Sequence, residues 1–166
     1  MEHCIDCGAE LVLRECEGEG QVPYCENCKQ FRFPGFSAAI ITAVINRAHD
    51  KVLLLRQYGR PSYILLAGYI SKGESAEQAL KREVKEEMDL EVTGWRYMQS
   101  QYFAPSNTLM LNFISYVQED TLHPAPVEVD DARWFTFEEA LQAILPNSLA
   151  EMFLKEIIKL LQNRGD

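Results

Sequence analysis

From Phe36 onward the chain alternates between two hydrophobic rhythms. Continuous apolar and β-branched runs at Phe36 to Arg47, Lys51 to Gln57 and Tyr63 to Leu66 predict buried strands, the first two joined by a turn at Ala48-His49-Asp50. Glu91 to Phe103 and Thr108 to Glu119, rich in β-branched and aromatic residues, predict two more strands, and Arg133 to Phe135 a short last one. Ser75 to Met88 predicts a helix, with Ser75 as its cap and good helix formers behind it. Two helices close the chain. Phe137 to Leu145 stops at Pro146, and Ser148 to Gln162 carries Leu149, Met152, Phe153, Ile157 and Leu160 at helical spacing. Strands interleaved with helices predict an α/β sandwich.

Ahead of Pro34-Gly35 the pattern differs, with polar turns punctuated by cysteines. This divides the chain into residues 1–34 and 35–166. Cys4-Ile5-Asp6-Cys7 and Cys25-Glu26-Asn27-Cys28 are two C-x2-C knuckles at the spacing of a zinc ribbon. Four thiolates can close a tetrahedral Zn²⁺ site, the arrangement of structural zinc. Gly8 and Lys29 follow the knuckles where tight turns can aim backbone amides at the thiolates. Disulfides suit neither a cytosolic chain nor an odd count of five cysteines, and a redox motif should sit at a strand-to-helix junction. Cys16 is read as a bystander in a polar loop with Glu15, Glu17, Gly18, Glu19 and Gly20, and His3 as a spare donor.

A chain of 166 residues can hold one substantial core with a small appendage. The formal net charge of -9 argues against bulk adhesion to nucleic acid or to an anionic membrane. Met1-Glu2-His3-Cys4 offers no charged-then-apolar leader, and the longest apolar stretch, around Ala38 to Ile45, is too short to span a bilayer. A cytoplasmic location is expected.

The chemistry concentrates in residues 68 to 90. On the predicted helix, Glu83, Glu86 and Glu87 stand at i, i+3 and i+4 and share one face. Stacked like charges repel unless a cation sits among their oxygens, and hard ions such as Mg²⁺ or Mn²⁺ favour all-oxygen sites. A solvated acidic face balanced by Lys81, Arg82 and Lys85 would account for the glutamates alone. It leaves unexplained the loop bracketed by Gly68 and Gly73, which leads through Glu74 and Ser75 into the helix and lets backbone approach a phosphate.

This stretch resembles the signature of the Nudix hydrolases, G-x5-E-x7-R-E-U-x-E-E-x-G-U with U apolar. Gly68, Glu74, Arg82, Glu83, Val84, Glu86, Glu87 and Leu90 fall on its positions. Asp89 replaces the last glycine, at a helix C-terminal position expected to have positive φ. A ribbon followed by this box is similar to the zinc-ribbon NADH pyrophosphatase (NAD⁺ diphosphatase) branch, and the sequence is read as lacking that branch's additional N-terminal domain. The branch's block S-Q-P-W-P-F-P-x-S is matched in part by Ser100-Gln101-Tyr102-Phe103-Ala104-Pro105-Ser106-Asn107-Thr108. Ser100 and Gln101 agree, Phe103 keeps an aromatic and Thr108 a hydroxyl. The missing prolines leave the shape of this loop open.

The resemblance implies a Nudix α/β/α sandwich with a mixed sheet and metal-dependent hydrolysis of a pyrophosphate bond, most directly NADH or NAD⁺ to NMN(H) plus AMP. It places Glu83 and Glu87 first as Mg²⁺ or Mn²⁺ ligands, Glu86 and Glu128 next, and the Ala67 carbonyl toward metal. Any glutamate not tied to metal can take the attacking water's proton. Arg82 is expected to orient carboxylates, and Glu74 to brace the loop or cap the helix. Phe33, Tyr69 and Ala150 fall where the branch contacts substrate, although each also suits plain packing. A homodimer is implied. Competing expectations are hydrolysis of ADP-ribose or another nucleotide sugar, an oxidised triphosphate or an NAD cap on RNA, and a nonenzymatic nucleotide sensor.

Overall fold

The computed structural model describes residues 2–162, and its contacts divide the chain into Met1–Phe36 and Ser37–Asp166. In the first unit β1 (Val12–Cys16), β2 (Gly20–Cys25) and β3 (Gln30–Phe31) form an antiparallel sheet in that order. The polar stretch around Cys16 is thus not a loop throughout. Cys16 ends β1 and pairs with Gly20, while Gly18 and Gly20 turn the hairpin with φ of 83° and 74°. Ladder pairing and glycine's access to positive φ decide this segment, whose polar composition reports only its exposure. Among the described residues of this unit, the buried apolar side chains are Cys4, Val22 and Cys25.

The second unit is built on a mixed sheet in which β4 (Ser37–Ile45) is central. Its other strands are β5 (Lys51–Gln57), β6 (Leu66–Tyr69), β7 (Val92–Phe103), β8 (Thr108–Val117) and β9 (Val129–Thr136). The order is β7-β8-β4-β5-β9, with β6 also on β4. Among these described strands the β4–β8 pairing is parallel and the others antiparallel. Side chains alternate between two apolar layers, as a sheet covered on both faces requires. Ile40, Val44, Leu53, Leu55 and Phe113 pack with Leu80, Val84 and Met88 of α1 (Ala76–Met88). Ile41, Ala43, Ile45 and Ile114 pack on the other face with α2 (Phe137–Ala143) and α3 (Leu149–Gln162).

Two boundaries and one helix face differ from expectation. The strand expected at Tyr63 to Leu66 begins only at Leu66, because the edge of β4 from Ala39 to Thr42 receives Leu66 to Tyr69. Tyr63 and Ile64 make single bridges to Ile144 and Leu55. The last strand starts at Val129 rather than Arg133, since the Asp130 and Asp131 carboxylates that disguised it accept from the Gly59 amide and from Arg56 and Arg133. On α3, Met152 is exposed, and Phe153, Leu154, Ile157 and Ile158 form the buried stripe.

Candidate functional site

β6 and α1 are joined by the loop that carries the candidate chemistry. Ser75 caps α1, accepting from the Gln78 amide at 3.2 Å while the Gln78 side chain accepts from the Ser75 amide at 2.8 Å. This capping box fixes the helix start just after Gly73, whose φ is 86°. At the far end Asp89 takes the left-handed conformation, φ 58°, and its amide donates to the Lys85 carbonyl. The glycine of the motif is thus replaced without changing the cap.

Glu74 braces the loop by accepting from the Ser71 amide at 3.0 Å. Its carboxylate also receives a two-pronged pair from Arg82, at 2.8 and 2.9 Å. The Arg82 bond, ahead of the Ser71 amide, holds the Glu74 carboxyl down to about 2. The same guanidinium donates to Glu83 at 2.7 Å, Glu86 at 3.0 Å and the Tyr69 carbonyl at 3.0 Å. One cation thus organises three carboxylates and the end of β6.

Glu83 lies over Gly68. A Cβ at position 68 would stand 1.9 Å from the Glu83 Cδ, so any larger residue there would displace that carboxylate. Glu87 lies on the inward stripe of α1 with Leu80, Val84 and Met88 and is only 3% exposed. Its Oε1 accepts from the Gln57 side chain at 2.9 Å, and its Oε2 has no partner. Burial pushes the Glu87 carboxyl up to about 7 and also raises Glu83, with nearby Glu128 raising both.

Glu128 reaches this cluster on the segment before β9, which is tied to the end of α1. The His123 amide donates to the Met88 carbonyl at 3.1 Å and the Ala125 amide to the Glu87 carbonyl at 2.9 Å. The Trp134 indole and the Arg47 amide hold Asp120 at the start of the segment. Spacing could not show Gln57 or these ties, because they join residues 14 or more positions apart.

An orphaned buried carboxylate oxygen beside further glutamates suits a hard divalent cation, as does an all-oxygen donor set. The carboxylates are nonetheless looser than the thiols. Among the described residues, the set of three or more ligand atoms all within 4.8 Å of one another is Cys4, Cys7, Cys25 and Cys28. The Cys4–Cys28 sulfurs are 3.9 Å apart and the Cys7–Cys25 sulfurs 3.5 Å, against roughly 3.8 Å expected around tetrahedral zinc with Zn–S near 2.3 Å. Gly8 and Lys29 take φ of 72° and 57°, closing the knuckles onto the Cys4 and Cys25 carbonyls. Arg32, which sequence reading passed over, donates to the Cys4 sulfur at 3.2 Å. Burial raises the Cys4 thiol, but the Cys7 and Asp6 amides and Arg32 outweigh it and bring it to about 6.

The residues expected to contact substrate separate by location. Phe33 belongs to the first unit and is exposed. Pairing places Gln101 opposite Met110 and Ser100 opposite Leu111, so these neighbours face opposite sides of the sheet. Tyr69 and Phe103 are exposed, whereas Ala150 is buried. Thr108 is buried and its hydroxyl is bonded to Ser106. Ala67 lies on β6 opposite Ile41.

A glycine-bracketed loop feeding an acidic helix on a mixed sheet defines a class, and residues 36–155 match the NUDIX domain. The chain belongs to this family. It is 32% identical to the NAD-capped RNA hydrolase NudC of Vibrio vulnificus (strain CMCP6), covering 100% of this chain and 62% of that protein. NudC of Pectobacterium atrosepticum is also 32% identical, with 95% and 59% covered. The chain therefore spans about three fifths of the length of these curated relatives. A NUDIX hydrolase from Nitrosomonas europaea shares the fold with a TM-score of 0.66 at 22% identity, covering 93% of this chain and 89% of that one. The NUDIX domain of Shewanella oneidensis NrtR, solved with ADP ribose, gives 0.63 at 18% identity, covering 86% and 94%.

Proposed function

We propose that this chain hydrolyses the pyrophosphate bond of an NAD-type dinucleotide, releasing two mononucleotides. The observation that carries the reading is Glu87, buried with one oxygen held by Gln57 and the other free beside Glu83 and Glu128. Bound Mg²⁺ or Mn²⁺ would neutralise the pyrophosphate oxygens and lower the pKa of the attacking water. Glu83, Glu86, Glu87 and Glu128 are the side chains that would hold it, with the Ala67 carbonyl alongside. Glu74 and Arg82 keep the loop and carboxylates in place. Water oxygen attacks one phosphorus, the bridging P–O bond breaks, and a carboxylate free of metal takes the water's proton. In the first unit Cys4, Cys7, Cys25 and Cys28 are assigned a structural zinc.

The ribbon, the motif and Ser100-Gln101 support a dinucleotide, as does the likeness to proteins named for NAD-capped RNA. A net charge of -9 disfavours a long RNA footprint. Assay of NADH, NAD⁺, ADP-ribose, nucleoside triphosphates and a short NAD-capped RNA with Mg²⁺ or Mn²⁺ tests the proposal. NMN(H) plus AMP as products, with the highest kcat/KM for a free dinucleotide, is the expected result. A higher kcat/KM for ADP-ribose or a triphosphate moves the substrate assignment, and binding without turnover of any substrate makes the chain a sensor.

A further inference from the structure

Asn112 occupies the middle of β8 with no exposure, and neither its Oδ1 nor its Nδ2 has a hydrogen-bond partner. Buried amides are ordinarily paired. This sheet shows the rule on its other face, where the interior hydroxyls of Thr42 and Ser115 satisfy each other at 2.9 Å. A leucine at position 112 would remove the burden, so an unpaired donor and acceptor side by side point to a guest.

The strand register shows where such a guest would lie. Alternation puts Asn112 on the face shared by Met110 and Ile114, which pack in the layer with α2 and α3. Across the ladders it stands in one row with Ile41 and Ala67 on one side and Gln99 on the other. The next row contains Met110, Ala39, Tyr69 and Gln101. The strip is lined by Ile41, Ala39, Ala67 and Met110 and runs out to Tyr69, 60% exposed, just before the Ser71–Glu74 loop. Gln99, its neighbour in the row, instead donates to Glu156 of α3 at 2.7 Å.

We infer that Asn112 is a specificity-determining residue that reads a ring edge carrying an acceptor beside an amino group, a primary carboxamide or an aminopurine edge, at the inner end of this strip. The inference rests on the dinucleotide reading and deepens it. A side-chain amide presents one donor and one acceptor in fixed geometry and pairs with such an edge through two bonds. A phosphate or carboxylate, with acceptors only, would leave the Oδ1 unpaired. Adjacent residues of β6 then divide the work, Gly68 under the Glu83 carboxylate and Ala67 and Tyr69 on the ring side.

The test compares wild type with Asn112→Leu, and with Asn112→Ser should the leucine variant fail to fold. Turnover is measured on NADH, on the analogue with a carboxylate in place of the carboxamide, and on the analogue with hypoxanthine in place of adenine. Binding of the corresponding mononucleotides is measured separately without divalent metal. Wild type should prefer NADH over one analogue by about 10-fold or more, and the variant should lose that preference through KM with kcat kept. Which analogue wild type rejects identifies the carboxamide or the aminopurine as the edge read. A variant that keeps the wild-type preference, in turnover and in binding, overturns the assignment and leaves Asn112 with a buried water. Wild-type discrimination among mononucleotides, lost in the variant but without turnover, sinks the hydrolytic reading alone. Wild-type binding blind to both ring changes sinks the Asn112 assignment whatever the turnover.

Discussion

The two units of this chain solve the problem of stability in different ways. Among its described residues Met1–Phe36 buries the apolar side chains of Cys4, Val22 and Cys25, and its four thiols cluster beside them. Ser37–Asp166 buries two apolar layers and can carry an electrostatic burden, a carboxylate cluster with Glu87 drawn inside. In one unit four clustered thiols stand where a core would otherwise be. In the other a core is strong enough to hold a site that repels itself.

Removing the staple is the sharpest way to break that contrast. Cys25→Ser, or zinc extraction by a strong chelator, should abolish the order of the first unit, because structural zinc supplies about 10–16 kcal/mol to small domains. The sheet's own melting transition should persist, and elemental analysis beside residue-resolved NMR would check both. A ribbon still ordered without metal would remove the contrast. Glu87→Gln acts next, on the other unit. It deletes a charge at constant shape, and kcat with saturating Mg²⁺ or Mn²⁺ should fall by about 100-fold or more with the fold intact, as steady-state kinetics and circular dichroism would show. Undiminished turnover would exclude Glu87 as a ligand.

Gly68→Ala should be milder and more local. Its methyl would collide with Glu83, displacing that carboxylate, so turnover should drop about 10-fold or more with the ribbon's zinc retained. The smallest effect is the pH dependence of the metal-free protein. Burial holds Glu87 up to about 7 against an ordinary 4.5, so its stabilising contribution is complete below pH 4.5 and lost as pH rises through 7. Glu74, held down to about 2 by Arg82, contributes in the opposite sense, above pH 4.5, and loses that contribution as pH falls toward 2. Between these limits Glu87 governs together with Glu83, which burial also raises. The metal-free Tm of the sheet unit should fall by roughly 2–6 °C from about pH 5.5 to 7.5, and added Mn²⁺ should restore more at the higher pH. Scanning calorimetry at the two pH values checks the sign.

Much of this protein was legible in order along the chain. The knuckle spacing of Cys4, Cys7, Cys25 and Cys28, the cap at Ser75 and the left-handed Asp89 are local facts, fixed by residues a few positions apart and by the φ that each can adopt. The helical spacing of Glu83, Glu86 and Glu87 placed acids together, but not which of them would be buried. Only tertiary structure decided that Glu87 turns in against Gln57 and Glu86 out toward solvent, because the inward stripe of α1 exists only relative to the sheet beneath it. It also decided that Ser100 and Gln101 part company, since a strand's faces are assigned by pairing register. Asn112 carried no signal in the sequence. A lone asparagine among apolar residues becomes informative only when every neighbour that could have paired with it is in view.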